Sequence, residues 1–111
     1  MKITSLTVEM VRADTSVAQF LVRLTLDGSV TDCTLQGSVV GPRCPGITTV
    51  EIAYPLVLVE TNEANASLKG VIPEPNLWTP EAPFVYEMTV DVRLGDRKTD
   101  MRTSIIALRG R

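Results

Sequence analysis

Apolar and polar residues alternate with a period of two through most of this chain, the pattern of strands half-buried against a core. From Ile3 to Val11, Leu6, Val8 and Met10 fall on one face and Thr7, Glu9 and Val11 on the other. Arg12 to Val17 reads as a polar connection. Ala18 to Asp27 alternates most cleanly, with Phe20, Val22, Leu24 and Leu26 inward and Arg23, Thr25 and Asp27 outward. Asp27-Gly28 is a tight-hairpin signal, because such turns need a residue with positive φ. It predicts a return strand from Val30 to Gln36 that offers Cys33 and Leu35 to the core. Gly37 to Gly46, punctuated by glycine and proline, predicts a long connection. Thr48 to Tyr54 predicts a short strand, and Pro55 marks the start of another over Leu56–Glu60. After a polar turn at Asn62 to Asn65, Ala66, Leu68, Gly70 and Ile72 point inward, with Ser67 and Lys69 outward. Tyr86, Met88, Val90, Val92 and Leu94 alternate with Glu87, Thr89, Asp91 and Arg93. Gly95-Asp96 turns the chain into a last strand, Arg97 to Leu108. Seven to eight antiparallel strands without sustained helical periodicity predict an all-β sandwich.

One stretch breaks the alternation. Ile72 to Tyr86 holds four of the seven prolines, Pro73, Pro75, Pro80 and Pro83, and the sole tryptophan. Proline lacks an amide donor and obstructs the preceding turn, so no helix runs through this spacing and no central strand tolerates it. Leu77, Trp78, Phe84, Val85 and Tyr86 are nonetheless residues that a small domain buries. The stretch predicts a rigid, extended crossover that lays large side chains on the core and feeds a strand from near Val85. Trp78 is expected to be its packing anchor, since burying a large ring outweighs exposing it.

Composition adds bounds. The 111 residues make one domain, 1–111, and 44% apolar content fits a globular core. Eleven basic against thirteen acidic residues leave a net charge of −2, which gives no electrostatic case for nucleic acid or an anionic membrane. The start, Met1-Lys2-Ile3-Thr4, lacks the apolar segment of a secretory signal. Cys33 and Cys44 either pair or stay free, and nothing in their spacing forces a bridge. Two thiols without any histidine make neither a zinc site nor a Ser/His/Asp triad, and the glycines form no phosphate-cradling loop. Glycoside chemistry needs two carboxylates held across a sugar. Here Glu87 and Asp91 lie on outward phases, and Asp27, Glu63 and Asp96 lie in turns, where solvation is the ordinary fate. No catalytic, metal or cofactor-binding residues are therefore expected.

Pro75-Asn76-Leu77-Trp78-Thr79-Pro80-Glu81-Ala82-Pro83-Phe84-Val85-Tyr86 resembles the P-x-L-W-S-P-x-x-P-x-L-Y signature of the immunoglobulin-like β-sandwich of glycoside hydrolase family 2. Thr79 replaces the usual Ser and Val85 the usual Leu. Asp100 and Ile106-Ala107-Leu108-Arg109 are similar to the family's closing D … F-G-[IF]-R. The structural motif is thus Pro75, Leu77, Trp78, Pro80, Pro83, Tyr86 and Arg109. In that family, which includes β-galactosidases, β-glucuronidases and β-mannosidases, the resemblance implies a sandwich that precedes a (β/α)₈ barrel carrying both catalytic glutamates. The end at Arg109-Gly110-Arg111 is where the family's chain runs on into the barrel.

Two functions compete. One is a non-catalytic accessory domain linking a sugar-binding-like domain to the barrel, with neighbouring domains of the parent chain as partners. The other is an independent module binding carbohydrate or protein. The first predicts bare apolar surface in the isolated chain. Leu21, Val57, Val59 and Val71, with Leu77 and Phe84 at the crossover, are the residues expected to form it, covered by neighbouring domains or by a second copy in a homo-oligomer.

Overall fold

The cleanest alternation in the sequence becomes a central strand. In the computed structural model, which describes residues 1–109, eight strands form two sheets. They are β1 (Ile3–Ala13), β2 (Val17–Leu26), β3 (Thr34–Arg43), β4 (Ile52–Pro55), β5 (Val57–Asn62), β6 (Asn65–Pro73), β7 (Val85–Leu94) and β8 (Arg97–Ile106). One sheet has the order β1-β2-β6-β5 and the other β4-β3-β7-β8. All neighbours are antiparallel. This is an all-β, immunoglobulin-like sandwich of eight strands. No helix among the described residues is long and apolar enough to cross a membrane. Gly110 and Arg111, the end from which the family's chain runs on, lie outside the described residues.

The core lies between the sheets and is built by the inward phases read from the sequence. Phe20, Val22, Leu24 and Leu26 of β2 and Leu68 and Ile72 of β6 are buried from one side. Val39 of β3 and Tyr86, Met88, Val90 and Val92 of β7 meet them from the other. Leu94, at the β7–β8 turn, is exposed instead. Ser67, outward by phase, is covered all the same, flanked by Arg23 on β2 and Glu60 on β5. Gly95 takes the left-handed φ of 63° that its turn requires.

Three expectations are corrected. The first is the hairpin at Asp27-Gly28. β2 is paired on both sides, by β1 and β6, so it has no free edge to offer a return strand. The amides of Leu26 and Asp27 donate to the carbonyls of Ala64 (2.8 Å) and Lys2 (3.0 Å), and Gly28 keeps φ outside the left-handed region. A 3-10 turn at Val30–Asp32 then carries the chain to the opposite sheet, where Cys33 and Leu35 arrive half-buried. The second is the connection Gly37–Gly46, most of which is strand β3. Its glycines serve close packing. A Cβ on Gly37 would stand 2.7 Å from Leu56 Cδ1, and one on Gly41 2.6 Å from the Tyr86 ring. The third is the strand at Thr48–Tyr54, which forms only at Ile52–Pro55, with Pro55 tolerated on an edge strand. Cys33 and Cys44 are both free. Burial pushes the Cys33 thiol upward, with Asp32 adding to the shift.

The sheets are also fastened along one flank, where the edge strands β1 and β8 meet. Asp100 Oδ2 accepts the Ile3 amide at 2.8 Å, Arg102 Nη2 donates to the Ile3 carbonyl at 2.6 Å, and Thr99 Oγ1 donates to the Met1 carbonyl at 2.8 Å. The Ile3 amide holds the Asp100 carboxyl below its usual value, helped by the Met101 amide and the nearby Arg102 and Lys2 charges. A carboxyl depressed in the folded state stabilises it fully above the unfolded value of about 3.9. That contribution disappears as pH falls through the folded value. Asp100→Asn should therefore lower the denaturation midpoint near neutral pH, and the gap to the wild type should close in acid. A gap independent of pH, followed by urea unfolding across the acid range, would exclude the charge as its source.

Phe20 and Gly70 are cross-strand partners, and a Cβ at Gly70 would fall 2.2 Å from Phe20 Cζ. Gly70→Ala should overpack the core and destabilise the domain by roughly 1–3 kcal/mol. The check is a lower urea midpoint at unchanged m-value.

Candidate functional site

The proline crossover leaves β6 at Pro73 and enters β7 at Val85. Its residues divide into those held by the core and those left facing out. Tyr86 is 1% exposed, and its ring lies against the bare backbone of Gly41. Its hydroxyl accepts the Asn76 amide at 3.0 Å. Pro75 is buried and Leu77 packs against the core cluster. Pro80 is exposed in a tight turn closed by reciprocal Thr79 and Ala82 backbone bonds of 3.1 Å. Proline suits the second position of such a turn, because its fixed φ matches. The Thr79 hydroxyl accepts the Ala82 amide at 3.0 Å, a role open equally to Ser. Pro83 is half-buried.

Trp78 is a correction. It is half-buried and outside the core cluster, so the anchor of the crossover is Tyr86. The Trp78 amide donates to the Leu108 carbonyl at 2.8 Å, and the Arg109 guanidinium sits 4.4 Å from its ring centroid. Leu108 itself is fully buried. The two motif stretches, thirty residues apart in sequence, thus meet in space. Backbone pairing and a cation–π contact join them.

The carboxylates are dispersed. Glu87 pairs with Arg43 (3.2 Å), which also reaches Glu51, and Glu9 pairs with Arg23 (2.9 Å). Asp91 departs from the solvated reading: its side chain is only 13% exposed, and Arg93 (3.3 Å) and Lys98 (3.6 Å) flank it. Each of five shallow grooves is lined by at most one carboxylate. Among the described residues no group of three or more His, Cys, Asp or Glu could hold a metal ion.

Two grooves carry apolar surface. Pro55, Val57, Val59 and Val71 surround Lys69 on the outer face of β5 and β6. Val57 and Val59 are more than half exposed and Val71 is 40% exposed, whereas Leu21, expected with them, is half-buried. The second groove lies at the sandwich end beside the crossover, where Ile47, Val50 and Ile52 form an exposed aliphatic lip over Tyr54, Phe84 and Glu74. Sequence phase could not find it, because its walls come from a loop, four strands and the crossover.

Substitutions rank the two aromatics. Tyr86→Ala should cost about 3–5 kcal/mol, the range for emptying an aromatic core site. Trp78→Ala should cost about 2 kcal/mol, because only part of its surface leaves water. Urea denaturation of both variants gives the order, and the reverse order would restore Trp78 as the anchor.

The model of "Glycosyl hydrolases family 2" matches residues 4–109. No curated protein matches the sequence. Among solved structures, Bacteroides uniformis β-glucuronidase 2, covalently bound to cyclophellitol-6-carboxylate aziridine, is similar with a TM-score of 0.55 and 14% identity. The likeness covers 93% of this chain and 13% of that one, and at this identity it speaks for the fold. With the family model matching nearly end to end and the motif residues meeting at Trp78 and Arg109, the chain belongs to glycosyl hydrolase family 2.

Proposed function

We propose that this domain is the non-catalytic accessory sandwich of a family 2 glycoside hydrolase. It connects a sugar-binding-like domain to the catalytic barrel and lends rigid faces to both. The observation that carries this reading is the use of the motif residues. Leu77 and Tyr86 pack on or within the core, and Trp78 and Arg109 close on each other. None presents an acid or a nucleophile.

The acidic residues support the same reading. Asp100 binds a backbone amide, while Glu9, Asp14, Asp91 and Glu87 are engaged by Arg or Lys. A hydrolytic pair requires one carboxyl held neutral near a second that stays ionised, at a separation fixed by the scaffold. Ion-paired carboxylates on separate strands do not meet that requirement. The exposed Val57, Val59 and Val71 groove is suited to burial against a neighbouring domain. The structural neighbour leaves room for such domains, since this chain spans 13% of its length.

The purified chain should release no aryl leaving group above buffer from a panel of β-galactosides, β-glucuronides and β-mannosides. Turnover that survives repurification and is abolished by one carboxylate substitution would overturn the reading.

A further inference from the structure

Lys69 stands in the middle of the bare apolar face shared by β5 and β6. Val57 lies opposite it on β5, Leu21 opposite it on β2, and Val71 next along the same face of β6. Pro55, Val57, Val59 and Val71 wall the groove around it, so Lys69 is the one charge there. The other described cations are placed differently. Arg12, Arg23, Arg43, Arg93, Lys98 and Arg102 each pair with a carboxylate, and Arg109 sits over the Trp78 ring. Lys2 precedes β1 and Arg97 opens β8 at its turn, both exposed. Among the described residues, Lys69 is thus the one cation inside a strand without a carboxylate or an aromatic partner.

That position has two consequences. In the free chain a lysine keeps its ammonium in water and shields apolar neighbours with its stem. Once another surface covers the face, the ammonium loses that water. A charge buried without a counter-charge is costly, and a carboxylate beside it offsets much of the cost. The second consequence concerns copies of this chain. A two-fold contact sets one patch on itself, so residues at its centre meet their own counterparts. Each Lys69 would then face another Lys69, and like charges across a contact repel. No carboxylate lines the groove to relieve this.

We propose that Lys69 selects the occupant of this face: a neighbouring domain of the parent chain that presents a carboxylate among aliphatic side chains, and not a second copy of this chain. The valines supply contact area, which many apolar surfaces would fit. The lysine supplies discrimination, by penalising every surface that leaves it unpaired. This specificity rests on the accessory reading above and gives the docked surface its chemistry.

Two capped peptides serve as probes, one with a glutamate and one with a lysine at the centre of the same aliphatic sequence. Each is titrated into the full chain and followed by amide chemical shifts. The glutamate peptide should saturate the amides of Val57, Val59, Lys69 and Val71 about fivefold more tightly than the lysine peptide, the weight of one partly exposed ion pair. Lys69→Leu, checked for a native dispersed spectrum, should erase that preference and self-associate at concentrations where the wild type sediments as a monomer. Lys69→Arg keeps the charge and should behave as the wild type in both assays. Equal affinity for the two peptides, or saturation of these amides by neither, overturns the proposal. So does wild-type self-association that shifts the same amides, since a second copy would then be the occupant. Hydrolytic turnover would sink the accessory reading without altering either binding result, so the two readings fail separately.

Discussion

The contact between the Tyr86 ring and the bare backbone of Gly41 sets the end of this sandwich. It requires a glycine on β3 and a buried aromatic at the start of β7, and neither partner tolerates a larger neighbour. The proline crossover is tied to it, because the Tyr86 hydroxyl accepts the Asn76 amide near the start of a segment with few backbone partners. From that point the chain is rigid by composition. Pro75 is buried behind Asn76, and Pro80 shapes the turn that delivers Trp78 to the Leu108 carbonyl. Crossover and sheet interior therefore meet at one buried hydroxyl, and the segment after the final strand joins the crossover at Trp78. A stretch rich in proline can be ordered without a ladder when most of its few amides find acceptors, as those of Glu74, Asn76, Trp78, Thr79, Ala82 and Phe84 do here.

The flanks are handled differently from the core. β1 and β8 are edge strands of opposite sheets, and unpaired edges invite pairing with other chains. Here side chains from β8 reach across to the first backbone groups of the chain, so one flank is closed by hydrogen bonds to Met1 and Ile3. β5 is exposed along its whole length, but its pairing with β6 shifts register between Leu58 and Glu60. Such an irregularity twists the strand and discourages a regular ladder. The apolar side chains of Val57 and Val59 there remain open all the same.

Electrostatics and function follow from the same economy of acids. Many carboxylates described here hold an arginine, a lysine or a backbone amide, and at Asp14 and Asp100 those bonds hold the carboxyl below its usual value. A general acid needs the opposite environment, in which burial without a cation raises the pKa. Glu74 has no such partner among the described bonds, and it stands exposed beside a groove with a φ of 46°.

Much of the fold was legible in the sequence. Period-two alternation located the inward faces of β2, β6 and β7, save at Ser67 and Leu94, because burial on one side of a pleated strand imposes that period directly. The proline run located the crossover, because proline excludes both regular alternatives. Partnership was not legible. Asp27-Gly28 carries a hairpin's chemistry, but which strand pairs with β2 depended on β6, some forty residues on, occupying its free edge. Glycine in β3 looked like loop punctuation because its cause, the Tyr86 ring and Leu56, lies on other strands. Trp78 was legible as a large apolar residue but not as a half-covered one, since Arg109 reaches it only in the folded chain. The groove was hidden for the same reason: the loop residues Ile47 and Val50, Tyr54 of β4 and the crossover residues Glu74 and Phe84 belong to different segments, and only tertiary packing makes them neighbours. Local pattern is written by each residue's own solvation and backbone freedom. Contacts between segments are decided by whichever surfaces fit, and no single segment encodes that.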